Sequence, residues 1–174
     1  MEPRLADGTP PRTPEDLLRQ LEALGIPHTT RTHPPVRTVE EAREKRGPIP
    51  GAHSKNLFVR DKKGAMWIVS CLESRNVDLK ALAPRIGARQ RLSFGSERRL
   101  MTYLGIRPGA VSPLAVVNDV TGAVRVVLDR ALLDDPPVNF HPLDNRMTTS
   151  LAPADLMRFL EAAAHPPLVL ELEF

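Results

Sequence analysis

The stretch GAHSKNLFVRDKKGAMWIVSC, residues 51–71, predicts a β-hairpin around which the rest of the fold is arranged. Its apolar runs LFV and MWIV are joined by a charged turn at 61–64 that ends in glycine, and such a connection is typical of antiparallel strands. Lys55 stands with Asn56 at the mouth of the first strand, after a run of small residues. The residue chemistry leaves two interpretations of Lys55 open: a solvated lysine at a strand start, or a cation held where it can touch a substrate.

Helices and strands are predicted on both sides of this hairpin. Helical patterns cover residues 13–25, 38–47, 78–84, 95–105 and 152–163. Extended segments are predicted at 27–33, 88–94, 135–143, 147–151 and 167–174, and a second hairpin at 113–129 has the strongest strand signal. This order predicts an α+β (mixed α/β) single domain over residues 13–174, with a mixed, mainly antiparallel sheet and flanking helices. Residues 1–12 are expected to form a flexible N-terminal tail.

The composition restricts the class of protein. A net charge of +3 and a pI near 9.4 permit a polyanionic partner without requiring one. An aromatic content of 4% argues against a single-stranded RNA binder built on stacking platforms. The single cysteine, Cys71, excludes an internal disulfide and fits a reducing compartment. With no apolar signal core and no run of the ~18 apolar residues that a membrane span needs, we expect a cytoplasmic protein without a membrane partner.

Conventional catalytic motifs are absent from the sequence. There is no dinucleotide or phosphate-binding glycine motif, no His-Glu-x-x-His and no Cys-x-x-Cys. The five histidines lack metal-ligand spacing, which argues against a metal site. Cys71 ends an apolar strand and is interpreted as a small core residue, with a nucleophile as the alternative. Ser54 and Lys55 are neighbours on a strand and therefore point to opposite faces, which counts against a Ser–Lys dyad.

Three segments carry polar chemistry that a purely structural role does not explain. The first is the stretch 51–56 before the hairpin, and the second is the loop Gly109 to Pro113, which can present backbone groups to a ligand. The third is PVNFHPLDNRMTTSL, residues 137–151, which contains Asn139, His141, Asn145, Thr148 and Thr149. Each residue alone favours a structural interpretation. Together they predict a polar, weakly acid-base pocket suited to positioning a ligand.

These segments, quoted as GAHSKNLF, GAVSP and NFHPLDNRMTTSL, resemble the YbaK/ProX family of aminoacyl-tRNA editing domains, as does HPPVRTVEEA at 33–42. The resemblance covers about residues 14 to 172, and HPPVRTVEEA points to the freestanding branch called ProXp-ala, an alanyl-tRNA(Pro) deacylase. It implies hydrolysis of the ester between a wrong amino acid and tRNA(Pro), without metal or other cofactor. A second site of this kind is needed because alanine is smaller than proline, so a synthetase pocket cannot exclude it by size.

The resemblance also implies roles for particular residues. Lys55 is expected to grip the terminal adenosine phosphate or the reacting end of the tRNA, with Gly109 and His141 as its partners in catalysis. Substrate contacts are expected from Val36, Thr38, Val39, Asn56, Ala110, Val111, Ser112, Pro113, Asn139 and Thr148. Arg91 matches a basic residue that faces the acceptor stem, and Arg89 takes its place if IGARQRL has an extra residue.

The implied partners are the acceptor end of mischarged tRNA(Pro) and, transiently, prolyl-tRNA synthetase, with no DNA. Our hypothesis for the reaction is that a positioned water attacks the ester carbonyl, with stabilisation from Lys55 and the backbone of 109–113. No residue is recognisable as a general base, so the ribose hydroxyl of the substrate is expected to help move the proton. Two alternatives remain: the same chemistry on another amino acid, such as cysteine, serine or a non-protein residue, and a tRNA-end binding module without catalysis.

Overall fold

The computed structural model describes residues 2–35 and 49–174. The predicted hairpin is confirmed as strands β2 (Ala52–Arg60) and β3 (Met66–Leu72), which pair antiparallel. Asp61 closes their turn, because its buried Oδ1 accepts the N–H groups of Lys63 and Ala65 at 3.0 Å each. The strand begins earlier than expected. Lys55 therefore lies inside β2 instead of at its mouth, opposite Cys71.

The remaining strands extend this hairpin into one mixed sheet. They are β1 (His28–Thr32), β4 (Ser93–Phe94), β5 (Val124–Asp129), β6 (Val138–Phe140), β7 (Met147–Leu151) and β8 (Leu168–Leu170). The strand order is β1-β7-β6-β2-β3-β5-β8, with β4 on β2. The pairs β1–β7, β7–β6, β2–β3 and β2–β4 are antiparallel, whereas β2–β6, β3–β5 and β5–β8 are parallel. The predicted mixed, mainly antiparallel sheet is confirmed.

The helices follow their capping signals. They are α1 (Pro14–Ala23), α2 (Leu79–Arg85), α3 (Glu97–Leu104), α4 (Arg130–Leu133) and α5 (Pro153–Ala162). Thr13 and Asp16 form a capping box on α1, and Gly105 ends α3 in the left-handed conformation at φ 63°. The helix predicted at 38–47 lies outside the described residues. No helix within residues 2–35 and 49–174 has the length and apolar character needed to cross a bilayer.

The prediction of a second hairpin at 113–129 is wrong. Residues Pro113–Asn118 form a buried 3₁₀ helix, and Val124–Asp129 is a single strand that pairs parallel with β3. The 3₁₀ helix forms because Ser112 caps it by accepting the Leu114 N–H at 3.1 Å, and buried Asn118 holds its end through the Leu104 carbonyl. A short apolar run that is buried all round has no period that distinguishes strand from helix. The strand predicted at 88–94 is reduced to Ser93–Phe94, which pair with Arg60 and Val59 at the end of β2.

Two apolar cores cover the two faces of the β2–β3 hairpin. Phe58 and Ile68 belong to the first core, with the 3₁₀ helix and residues of α1, α3 and α5. Val59 and Trp67 belong to the second core, with residues of α2. The two sets alternate along the strands because successive side chains point to opposite faces.

The N-terminal segment packs against the domain instead of forming the expected loose tail. Leu5 is buried, and the Ala6 N–H donates to the Thr102 carbonyl at 2.8 Å. Arg12 donates its N–H to Asn118 Oδ1 at 2.9 Å and its Nη1 to the Val117 carbonyl at 2.6 Å. A buried apolar side chain and paired backbone groups hold the segment against the domain. The polar composition of the segment did not indicate this packing.

Candidate active site

Lys55 shares one face of β2 with Leu57 and Val59, which we call the lysine face. The opposite face carries Ser54, Asn56 and Phe58, and we call it the amide face. The Lys55 side chain is partly exposed, and its Nζ donates a hydrogen bond to the carbonyl of Arg75. Lys55 is therefore a held cation at the surface of the sheet, not a freely solvated one.

The carbonyl that accepts Lys55 belongs to a loop that is itself anchored. The Arg75 guanidinium donates to the fully buried carboxylate of Asp129, at 2.9 Å from Nε and 3.4 Å from Nη2. Asp129 also accepts the backbone N–H groups of Leu72, Ala131 and Leu172 at 3.3–3.4 Å. These hydrogen bonds fix the position of the Asp129 carboxylate, and the ion pair therefore fixes the loop that contains Arg75. The Arg75 carbonyl, which accepts the hydrogen bond from the Lys55 ammonium, is held in place with it.

A row of polar residues crosses four neighbouring strands on the lysine face. Strands β2 and β6 pair in parallel with His53 opposite Asn139. Lys55 and His141 each stand two residues further along, beyond the last paired residues of this ladder, so alternation directs both toward the same face of the sheet, while the Lys55 ammonium itself is turned to the β3 side, where it meets the Arg75 carbonyl. Thr148 on β7 continues the row, because Ser150 pairs with Asn139 and Thr148 lies two residues before it. Lys55, His141 and Thr148 thus project from one face of the sheet, and the polar pocket expected from residues 137–151 stays a prediction.

His33, just after β1, completes this row. Its Nε2 lies 2.7 Å from Thr148 Oγ1, and its Nδ1 donates to the Pro34 carbonyl at 2.9 Å. Its ring centroid lies 5.9 Å from that of His141. We define the histidine row as His33, Thr148, His141 and Lys55.

The protonation of His141 follows from its contacts. Nδ1 lies 2.7 Å from the Met147 carbonyl, which can only accept, so Nδ1 carries the hydrogen. Burial lowers the pKa of His141 below its ordinary value of 6.5, the bond to Met147 opposes this, and the nearby His33 lowers it further. At neutral pH the imidazole is uncharged, with the lone pair of Nε2 unused by any residue of 2–35 or 49–174. This nitrogen can accept a proton or a hydrogen bond.

Asn139 is committed to internal hydrogen bonds. Its Nδ2 donates to the carbonyls of Pro50 and Ala52 at 3.1 and 3.0 Å, and its Oδ1 accepts from Ser150 at 2.5 Å. Its side chain is buried. These contacts hold the start of β2 against β6, so Asn139 positions the row. Its side chain has little hydrogen-bonding capacity left for a substrate.

Asn56 lies on the amide face, away from Lys55. Its Nδ2 donates to Ser54 Oγ at 3.0 Å, and its Oδ1 accepts from the fully buried Ser70 at 2.6 Å. Ser54 in turn donates to the carbonyl of Asn139 at 3.1 Å. The alternation that separates Ser54 from Lys55 also directs the Asn56 side chain away from it, and substrate contact by Asn56 stays a prediction.

The loop Gly109 to Pro113 packs on the side of the amide face. Ala110 and Leu114 belong to the first core, and Ser112 and Pro113 are buried. Gly109 is exposed with a φ of 91°, a conformation that favours glycine, and Val111 is partly buried against the same core. The loop therefore lies on the side of the first core, whereas Lys55 projects from the other face of β2.

The other predicted site residues divide into three groups. Arg89 and Arg91 are exposed and precede Leu92, which is buried in the second core. Val36, Thr38 and Val39 lie outside the described residues. Cys71 is fully buried, and burial raises the pKa of its thiol to about 11, so it remains protonated and is not a nucleophile.

Metal binding finds no support in this site. Among residues 2–35 and 49–174, no three His, Cys, Asp or Glu side chains converge on a point that could hold a metal ion. The chemistry available to the histidine row is an ammonium, a neutral imidazole and a hydroxyl. Such a set can bind an anionic group and position a water or a hydroxyl beside it.

The fold and this site define an aminoacyl-tRNA editing domain. Residues 33–159 match the family model described as the aminoacyl-tRNA editing domain, and the chain belongs to that family, which confirms the resemblance drawn from its motifs. The match begins at His33 and includes the whole histidine row.

Individual relatives agree with this assignment. The "Prolyl-tRNA synthetase associated domain-containing protein 1" of Danio rerio is 38% identical over 92% of this chain and 90% of the relative. The "Prolyl-tRNA editing protein ProX" of Acetoanaerobium sticklandii is 38% identical over 90% of this chain and 95% of the relative. A crystal structure described as a candidate trans-editing enzyme for prolyl tRNA synthetase has the same fold, with a TM-score of 0.71 at 22% identity, covering 94% of this chain and 98% of its own.

Sequence reasoning missed three residues of this site. His33 was visible as the first residue of HPPVRTVEEA, but nothing indicated that it would meet Thr148, 115 positions away. Arg75 and Asp129 stand 54 positions apart in segments without a motif. Only the parallel pairing of β3 with β5 brings the two together.

Proposed function

We propose that this chain is a trans-editing deacylase that hydrolyses mischarged tRNA(Pro) in the cytosol, with Ala-tRNA(Pro) as its main substrate. The observation that carries the proposal is the histidine row, in which a held ammonium and a neutral imidazole are directed toward one face of the sheet. Support for the choice of tRNA comes from the family, and support for tRNA(Pro) comes from the names of the relatives, which mention prolyl-tRNA editing and prolyl-tRNA synthetase.

In the proposed reaction, water attacks the ester carbonyl that joins the amino acid to the terminal ribose. The lone pair of His141 Nε2 accepts a hydrogen bond from this water or from the free ribose hydroxyl, which orients the nucleophile and takes up its proton. The proton then passes to the ribose oxygen as the ester bond breaks, so the products are a free amino acid and an uncharged tRNA.

Lys55 supplies positive charge where the substrate is negative. Its ammonium leaves the Arg75 carbonyl for the terminal phosphate or for the oxyanion that develops on the carbonyl oxygen. Because loop 109–113 packs on the other side of the hairpin, we assign no stabilising step to its backbone. Thr148 and His33 keep the His141 side of the row in place.

A panel of mischarged tRNAs tests the proposal. The purified chain is incubated with Ala-, Cys-, Ser- and Pro-tRNA(Pro), and the rate of amino-acid release is measured for each. We expect Ala-tRNA(Pro) to be hydrolysed fastest and Pro-tRNA(Pro) to persist. Since one methylene in an apolar pocket discriminates by about 10- to 200-fold, slower release of serine or cysteine is expected.

Two results would contradict the proposal in different ways. Hydrolysis of Cys-tRNA(Pro) with Ala-tRNA(Pro) left intact would keep the chemistry and change the substrate. Tight binding of all four tRNAs without release of any amino acid would show a binding module and remove the assignment of an enzyme.

A further inference from the structure

Phe94 is an aromatic side chain left open to solvent on the sheet. It is 63% exposed, the largest value among the exposed large apolar residues of the described segments. It belongs to the two-residue strand β4, which pairs with the end of β2 so that Phe94 lies opposite Val59. With so few aromatic residues in the chain, one that remains uncovered next to the site needs an explanation.

The backbone directs Phe94 to the lysine face. In an antiparallel pair, directly opposite residues point to the same face, and Val59 is on the lysine face. The next residue, Gly95, is pressed onto the ring of Phe58 on the amide face, where a Cβ would come within 2.3 Å of a ring carbon. Gly95 thus holds β4 close to β2, and Phe94 must project the other way, as Lys55 does.

The spacing between Phe94 and Lys55 suits a short single strand of nucleic acid. Val59 stands four residues beyond Lys55 on β2, which corresponds to about 13 Å along the strand. A stacked strand advances about 3.4 Å per nucleotide and an unstacked one advances further. Val59 itself is fully buried in the second core, so a strand that joins the two positions passes beside Leu57 and Val59 and not over them. The separation along β2 is therefore the shortest possible path, and it corresponds to about two to four nucleotides, the length of the unpaired 3′ end of a tRNA.

The surroundings of Phe94 carry the charge that such a strand requires. Segment 85–99 contains five arginines and one acid, Glu97. Arg89, Arg91 and Arg98 are exposed and lie within five residues of Phe94 in the sequence, whereas Arg60, opposite Ser93, projects from the amide face. An exposed aromatic ring among cations is the arrangement that binds a base by stacking and its phosphates by charge.

We infer that Phe94 is a stacking site for an unpaired base of the tRNA 3′ end, two to four nucleotides before the aminoacylated adenosine held at Lys55. The inference rests on the proposed function and deepens it, because it states how the strand leads into the site. The low aromatic content still excludes an extended stacking platform. One ring suffices to set the register of a strand whose last nucleotide is already held.

The test compares Phe94→Ala with Phe94→Trp. With Ala-tRNA(Pro), Phe94→Ala is expected to raise KM by about 5- to 100-fold at nearly unchanged kcat, and Phe94→Trp to retain the wild-type KM. With 2′(3′)-O-alanyl-adenosine, which has no preceding base, all three proteins should hydrolyse the ester equally. Phe174→Ala removes another half-exposed ring, packed against Arg85, and should change neither substrate's KM.

Binding of uncharged tRNA separates this inference from the proposed function. Wild type should bind intact tRNA(Pro) more tightly than a transcript that lacks the four 3′-terminal nucleotides, and this difference should be smaller in Phe94→Ala, which keeps only the contacts of the terminal adenosine at Lys55. This result would support stacking even if no amino acid were ever released. An unchanged KM in Phe94→Ala, an equal loss with alanyl-adenosine, or a wild-type dimer in sedimentation that Phe94→Ala dissociates would each overturn the inference.

Discussion

The two faces of β2 carry similar polar residues, but these residues differ in how far their hydrogen-bonding groups are used within the fold. On the amide face, Asn56 bonds to Ser54 and to the buried Ser70, and Phe58 further along the same face enters the first core. On the lysine face, the Lys55 side chain bonds only to a loop carbonyl, and His141 keeps one nitrogen unused within the described residues. A polar side chain whose donors and acceptors are all paired within the fold contributes to stability. One that keeps an unpaired donor or acceptor at the surface can bind or act on a ligand.

The distinction explains why residues one position apart in the sequence receive different roles here. It also makes a quantitative claim: changes on the lysine face should lower activity more than stability, and changes on the amide face should do the reverse. Four substitutions test this claim, from the largest effect to the smallest.

Lys55→Ala should have the largest effect. Removing the ammonium removes a charge that faces the substrate, so deacylation of Ala-tRNA(Pro) should fall by about 10²- to 10³-fold. The unfolding midpoint should stay near that of wild type, since the side chain is partly exposed. Lys63→Ala, in the exposed hairpin turn, is the matched control, and full activity in Lys55→Ala would remove the role assigned to the lysine face.

His141→Gln should come next, and it has a pH signature. The pKa of His141 is lowered from 6.5, so the neutral form dominates at pH 7 and above and is lost only as pH falls below 6.5. Wild-type kcat/KM should therefore be flat above pH 7 and fall at acidic pH. In His141→Gln we expect a loss of about 10- to 100-fold at pH 7.5 and no acid limb. An acid limb that survives in the variant would assign the titration to another group.

Arg75→Met tests whether the lysine face depends on a held ammonium. The variant loses the guanidinium that ties the loop to Asp129, and we expect kcat to fall about three- to tenfold, since a net hydrogen bond is worth about 1 kcal/mol. Arg75→Lys should recover part of the loss. In a Lys55→Ala background, Arg75→Met should have no further effect on kcat, and an undiminished effect there would show that Arg75 acts independently of Lys55.

Ser70→Ala should have the smallest effect on activity. It leaves Asn56 Oδ1 without its buried donor, so the free energy of unfolding in urea should drop by about 1–2 kcal/mol. The kcat/KM for Ala-tRNA(Pro) should remain within about twofold of wild type. Ser93→Ala, at an exposed position, is the control for stability. A large loss of activity in a folded Ser70→Ala protein would show that the amide face also takes part in catalysis.

Local rules account for the parts of the fold that were predicted correctly. The capping box of Thr13, the left-handed Gly105 and the turn closed by Asp61 each depend on residues within five positions of one another. The error at 113–118 has a different origin. Whether PLAVVN becomes a strand or a helix depends on which backbone partners are available, and Ser112 and Asn118 supply those of a 3₁₀ helix.

The sequence named several residues of the candidate site but did not predict which of them lie on the same face. Lys55, His141 and Thr148 were identified from motifs, but the motifs also placed Asn56 and loop 109–113 beside Lys55. Strand alternation and the packing of Ala110 in the first core separate them. His33 and Arg75 were missed because their partners, Thr148 and Asp129, are distant in the chain.

By itself the sequence determined the family, the helix ends, the central hairpin and the polar residues that carry the chemistry, because each of these depends on residue type and on short-range spacing. Only the tertiary structure decided which of those polar residues share a face and which are consumed by internal hydrogen bonds. The reason is that strand pairing brings together residues more than 100 positions apart in the sequence. The face on which a side chain lies depends on the register of that pairing, because a shift of one residue moves every side chain of the strand to the other face.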